Sequence, residues 1–157
     1  MPASSAGILL YRRRGDRLEV LLVHPGGPFW ARRDQGAWSI PKGEYAAGED
    51  PFDAARREFA EELGVEAPHG PAEELDDVRQ KGGKRVFAWA LEGDLDAAAI
   101  ESNTFELEWP PRSGRMIEVP EVDRAEWFTL ERARDKINHA QAEFLDRLLR
   151  AAGASAA

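Results

Sequence analysis

Three glutamates, Glu58, Glu61 and Glu62, stand three and four positions apart. On a helix that advances 100° per residue, Glu58 at zero places Glu61 near 300° and Glu62 near 40°, so the carboxylates share a sector of about 100°. Like charges at these spacings repel by a few tenths of a kcal/mol per pair. No Lys or Arg follows any of them four positions on, as a salt-bridged surface helix would want. A hard divalent cation relieves the repulsion, because clustered carboxylate oxygens are the ligands that Mg²⁺, Mn²⁺ and Ca²⁺ prefer. Such an ion neutralises nearby negative charge and lowers the pKa of bound water. The plain alternative is a solvated acidic helix face.

The helix that must present these groups is predicted over Pro51–Leu63. Asp50 is a good N-cap, Pro51 a good first helical residue and Gly64 a good stop. Phe52, Ala55, Phe59 and Leu63 fall between about 60° and 140° on the same wheel, so the acidic stripe borders the buried face. Around this helix the sequence reads as a hairpin over residues 6–11 and 18–24, turning at Gly15, then a short strand at Trp38-Ser39-Ile40. Further strands are predicted at 75–80 and 85–91, joined through Lys81-Gly82-Gly83-Lys84, and at 104–109 and 125–128. Alternation suggests that Phe87 and Trp89 are core. A helical region starts at Thr129, with Ile137, Phe144, Leu145 and Leu148 facing inward. Strands on either side of separated helices imply an α/β fold, a mixed sheet with helices on both faces. One domain over 1–150 is expected, with 151–157 a flexible tail.

Composition narrows the class. The 157 residues carry 21 Lys+Arg against 29 Asp+Glu, a formal charge of -8, and no cysteine. Disulfides, thiolate metal sites and a cysteine nucleophile are therefore excluded. No apolar run approaches the roughly 20 residues that span a bilayer, and the start lacks a signal peptide's charged-then-apolar order. A cytoplasmic protein without a membrane partner is expected. The acidic surplus also argues against long nucleic acids, whose phosphates need a basic surface.

The glutamates belong to a longer pattern. Residues 43–65, GEYAAGEDPFDAARREFAEELGV, resemble the Nudix box: G, five residues, E, seven residues, R-E-apolar-x-E-E-x-G-apolar, with every fixed position matched. The resemblance implies a Nudix-type α/β/α sandwich. It further implies a pyrophosphohydrolase that uses Mg²⁺ or Mn²⁺ on a nucleoside diphosphate linked to another moiety. Carried over by position, Glu58, Glu61 and Glu62 would be metal ligands, one of them acting as or orienting a base, and the Lys42 carbonyl would add a ligand. Glu49 and Arg57 would hold the loop on the helix, and Gly43 and Gly48 would serve the tight loop. The family commonly adds an acid from a loop before the last strand. Glu118 and Glu121 are the candidates, and Glu121, six residues before Trp127, is favoured.

Substrate choice lies outside the box. Trp38-Ser39-Ile40-Pro41-Lys42-Gly43 resembles the W-x-x-P-K-G stretch of Nudix enzymes acting on dinucleoside polyphosphates, diphosphoinositol polyphosphates and some nucleoside triphosphates. The long loop 24–37 offers Phe29 and Trp30 for stacking and Arg32 and Arg33 for phosphate, although Trp30 could equally pack the core. Lys42 and Lys84 could reach a polyphosphate, and His24 is the one histidine placed to touch a substrate. The tyrosine that often marks diadenosine polyphosphate hydrolases, about 17 residues past the box, is absent, with Gly82 in its place. A dinucleoside polyphosphate is the leading substrate expected. The alternatives are a house-cleaning nucleoside triphosphate pyrophosphatase and a ligand-sensing Nudix domain without hydrolysis. Oligomeric state is not readable from these residues.

Overall fold

The computed structural model describes residues 4–156. Its strands are β1 (Ser5–Arg14), β2 (Arg17–Pro25), β3 (Lys42–Glu44), β4 (Ala72–Arg79), β5 (Arg85–Glu92), β6 (Thr104–Glu108), β7 (Met116–Pro120) and β8 (Val122–Thr129). The helices are α1 (Pro51–Leu63), α2 (Leu130–Lys136) and α3 (Ala142–Ala156). The main sheet runs β4-β5-β1-β2-β8, with β3 also paired to β1, while β6 and β7 form a separate ribbon. β1 is parallel to β5 and antiparallel to β2 and β3, so the sheet is mixed.

Apolar side chains leave both faces of the sheet, and each face has its own helical cover. Ala6, Ile8, Leu10, Leu21 and Val23 pack with Ala54, Ala55, Phe59 and Leu63 of α1. Leu9, Val20 and Leu22 pack on the other side with Phe128, Ala133, Ile137, Phe144, Leu145 and Leu148. This is the expected α/β/α sandwich, and the four apolar residues assigned to the C-terminal region are all fully buried. No helix among the described residues is long and apolar enough to cross a membrane.

Helix α1 has the predicted bounds. The Asp50 carboxylate accepts from the Asp53 amide at its start, and Gly64 closes it in the left-handed conformation at φ 76°. Several other expectations need correction. Ala54 replaces Phe52 on the buried face, and Phe52 instead rests against Trp89. Val86, Ala88 and Ala90 fill the core where Phe87 and Trp89 were expected, and the two aromatics are half-buried. Trp38 and Ser39 do not form a strand but two single bridges, to Ile137 and Val23, and regular pairing starts at Lys42. Residues 116–120, read as loop, form β7 because they pair with β6 from Met116↔Glu108 to Pro120↔Thr104. The boundary expected after residue 150 falls inside α3, which buries Ala152 and is tied by Arg13 to the Ala152 carbonyl at 3.2 Å.

Candidate active site

The loop between β3 and α1 is short and turns at Gly48, φ 91°, so β3 is delivered directly onto the carboxylate face of α1. Gly43 makes the approach possible. A β-carbon there would lie 1.8 Å from Glu58 Oε1, so the carboxylate occupies the space that any other residue would fill. Arg57 binds the arrangement from outside. Its guanidinium pairs with Glu49, donates to Glu58 at 3.1 Å and to the Glu44 carbonyl at 3.2 Å, and lies 3.8 Å from Glu61. Burial works against the Arg57 charge, but the hydrogen bond to Glu58 and the charges of Glu49, Glu58 and Glu61 outweigh it and raise its pKa. Glu49 also accepts from the Ala46 amide, so it holds the loop as well as the arginine.

One cavity is lined by Lys42, Gly43, Glu44, Glu58, Glu61, Glu62, Lys84, Asn103 and Glu121, with Ser5 at its border. A second is lined by Val23, Pro25, Ser39, Ile40 and Val122. Lys42, Glu62 and Glu121 line both, so they form the partition between a polar chamber and one of mixed polar and apolar lining. Glu121 is the residue joining β7 to β8, and its backbone is fixed by the Asn103 carbonyl and the Gly26 amide at 2.9 and 3.1 Å. Glu118 instead lies on the exposed β6–β7 ribbon.

The electrostatics match a site built for a cation. Burial raises Glu62 to about 8, with Lys42 opposing and Glu58 and Glu121 adding to the rise. Glu58 is also raised, first by burial, with Arg57 opposing and Glu61 adding. Burial lowers the Lys42 pKa, and Lys84 lowers it further. Lys84 is paired with Glu44 at 3.0 Å. Among the described residues, no three acidic or histidine side chains already enclose an ion-sized space. The reason is local: Glu58 and Glu61 are turned to Arg57. The donor set nevertheless fits a hard cation, since carboxylates bordering one cavity are what Mg²⁺ and Mn²⁺ take, and Gly43 leaves the room.

The remaining expected residues are placed elsewhere. Trp30 is half-buried and packs on the core beside α2 and α3, and Arg32 is exposed; neither lines the two cavities. Phe29, 55% exposed, and the Arg33 guanidinium stacked 4.3 Å above its ring form the open face of that loop. His24 is 1% exposed and lines neither cavity. Its Nδ1 lies 2.9 Å from the Asp123 carboxylate and its Nε2 2.6 Å from the Arg33 carbonyl. Through these two contacts the ring pins the long loop to the start of β8. Ser39 and Asn103 were missed by sequence reasoning. Ser39 sits inside the W-x-x-P-K-G stretch, which was a usable signal; Asn103 carries none.

A family model described as NUDIX domain matches residues 1–148. The chain belongs to that family, whose enzymes generally use divalent metals. Among relatives, an RNA pyrophosphohydrolase of Caulobacter vibrioides is 34% identical over 128 residues, spanning 66% of this chain and 73% of that protein. An octanoyltransferase of Myxococcus xanthus is 30% identical over 138 residues, spanning 87% of this chain but only 33% of that protein's length. The fold is similar to that of a C. elegans Ap4A hydrolase in a binary complex, with TM-score 0.68, 20% identity, and 96% and 99% of the two chains covered. It is also similar to the NUDIX domain of Shewanella oneidensis NrtR complexed with ADP ribose, with TM-score 0.64, 16% identity, and 96% and 88% covered. The family and the pyrophosphohydrolase relative support the expected class, a Nudix pyrophosphohydrolase.

Proposed function

We propose that the chain hydrolyses a pyrophosphate bond in a nucleoside diphosphate linked to another moiety, with Mg²⁺ or Mn²⁺, and that a dinucleoside polyphosphate is its leading substrate in the cytoplasm. The observation that carries this reading is the single cavity shared by Glu58, Glu61 and Glu62 from one helix face, Lys42 and Lys84 from two strands' ends, and Glu121 from the β7–β8 junction. Glu58, Glu61 and Glu62, with the Lys42 carbonyl, would hold the metal. Once bound, the metal neutralises phosphate charge and makes a water acidic enough to serve as nucleophile.

The chain's own groups divide the remaining work. Arg57 and Glu49 keep the carboxylate helix and its loop in register, and Gly43 keeps Glu58 unobstructed. The Lys42 and Lys84 ammonium groups are donors for phosphate oxygens. Glu121, exposed at the partition, accepts a proton from the attacking water at a carboxylate oxygen. The second chamber, with Val23, Pro25, Ile40 and Val122 on its apolar side, receives the part of the substrate beyond the phosphates. Phe29 with Arg33 on the open face of the long loop offers a stacking surface for a base, with Trp30 and Arg32 beside them on the same loop, outside both cavities.

The 34% identity to an RNA pyrophosphohydrolase favours a second reading, a triphosphorylated RNA 5′ end. The -8 charge stands against gripping a long phosphate backbone. A product-resolved panel of dinucleoside polyphosphates, nucleoside triphosphates, nucleotide sugars, diphosphoinositol phosphates and triphosphorylated RNA, with Mg²⁺ or Mn²⁺, decides between them. Glu61→Gln and Glu62→Gln should each lower turnover roughly 100-fold or more. Full metal-dependent turnover in both variants would remove the assigned role, and tight binding without turnover across the panel would make the domain a sensor.

A further inference from the structure

The two lysines of the polar cavity come from different parts of the chain. Lys42 follows the Trp38–Ile40 segment, and Lys84 ends the turn that joins β4 to β5. Both trace back to one buried amide. Gln141, 0% exposed, closes the 3₁₀ turn His139–Gln141 that leads into α3. Its Oε1 accepts from the Ile40 backbone amide at 3.0 Å, and its Nε2 donates to Ser39 Oγ at 3.0 Å and to Gln80 Oε1 at 2.9 Å. The Ser39 hydroxyl donates in turn to the Ile40 carbonyl at 2.7 Å. The Gln80 backbone in turn frames the lysine turn, its N–H donating to the Lys84 carbonyl at 2.8 Å and its carbonyl accepting from the Gly83 N–H at 3.0 Å. Each polar atom of the Gln141 side chain is thus used, and its orientation follows from its partners.

Resting on the reading of the cavity as a pyrophosphate site, we propose that Gln141 is a positioning residue: its amide sets the Lys42 and Lys84 ends relative to each other and so to the carboxylates of α1. It touches no substrate. A generic core contact would not need a glutamine here, since an apolar side chain would fill the same space. What an apolar side chain would lose is a single group joining the Ile40 amide to Gln80. Lys42 is two residues past Ile40 and Lys84 four past Gln80, so a displacement at either tether passes directly to an ammonium group. Ångström-scale misplacement of positioning groups can cost on the order of 100-fold in rate.

The test compares Gln141→Met, Gln141→Glu and Gln80→Met with the unaltered chain, on four readouts. These are thermal melting, ¹⁵N amide shifts of Lys42 and Lys84 in the ligand-free protein, calorimetric binding of inorganic pyrophosphate with Mg²⁺, and turnover of the best substrate of the panel. Gln141→Met should move both lysine amide shifts, weaken pyrophosphate binding and lower kcat/KM roughly 10- to 100-fold in protein that is still folded. Gln141→Glu keeps the acceptor for Ile40, and Gln80 can turn its amide to donate, so it should restore most of the loss. Gln80→Met should act through Lys84 only: its effect should vanish in a Lys84→Ala background. Unmoved lysine shifts in Gln141→Met, or a melting change with binding and turnover intact per folded molecule, would overturn the proposal. If the unaltered chain neither binds pyrophosphate nor turns over any panel member, the functional reading fails, while the amide shifts still report whether Gln141 sets the lysine ends.

Discussion

At the scale of single residues, Ser5 is the clearest departure from ordinary core chemistry. It is fully buried at the start of β1, and its hydroxyl has no hydrogen-bond partner among the described residues. An unsatisfied buried hydroxyl costs about 1–3 kcal/mol, so Ser5→Ala should leave the ligand-free protein as stable as before or more stable by about 1 kcal/mol. Chemical denaturation checks this, and a loss of more than about 1 kcal/mol would mean that the hydroxyl is satisfied in solution. Glu121 is a different case, one of two candidate acids between which the sequence did not decide. Its distance from Trp127 favoured it over Glu118, and the structure puts it at the partition of the two chambers while Glu118 lies on the ribbon.

At the scale of elements, the site depends on the contact between β3 and α1. Gly43→Ala inserts a β-carbon where Glu58 Oε1 now sits, so either Glu58 rotates away or β3 shifts. The variant should fold, bind Mn²⁺ more weakly and lose at least about 10-fold in kcat/KM, as read by Mn²⁺ titration and steady-state kinetics. Near-normal Mn²⁺ affinity would show that the close approach is not needed. Helix α1 was legible to the residue because its signals are local: Asp50-Pro51 opens it and Gly64 closes it. The Trp38–Ile40 segment was not, because its backbone bonds are split, those of Trp38 going to residues some 100 positions away and those of Ser39 to Val23 on β2, so no single register runs through it. β5 was found but its inward face was reversed, since a sheet covered on both sides buries both sets of side chains and alternation loses its meaning. The strand β7 was hidden by the Pro- and Gly-rich turn before it, which reads as loop whatever follows.

At the scale of the whole molecule, the concentrated acids link stability to pH and to metal. Burial holds Glu62 at about 8 against an ordinary value of 4.5, so the folded chain keeps a proton there that the unfolded chain has released. Stability from this group is therefore complete below the unfolded value and is lost as pH rises through the folded one, by up to about 1.4 kcal/mol per pH unit. In EDTA the melting temperature should fall between about pH 5 and about pH 8, and Mg²⁺ should flatten the fall by binding the ionised form. Glu62→Gln should flatten it without metal; an unchanged slope in that variant would assign the effect to other groups.

The parallel bridge between Trp38 and Ile137, and the Gln141 bonds beside it, also fix an order of events. Helix α1 has its start and stop signals within a span of 15 residues, 50–64, so it can form while the chain is still emerging from the ribosome. The lysine side of the cavity lacks its framework until residue 141 has been made. Contacts this distant in sequence are also slow to close. The signals that start and stop the acidic helix are therefore made well before residue 141, and the bonds from Gln141 to Ile40 and Gln80 can close only once the last helix is in place.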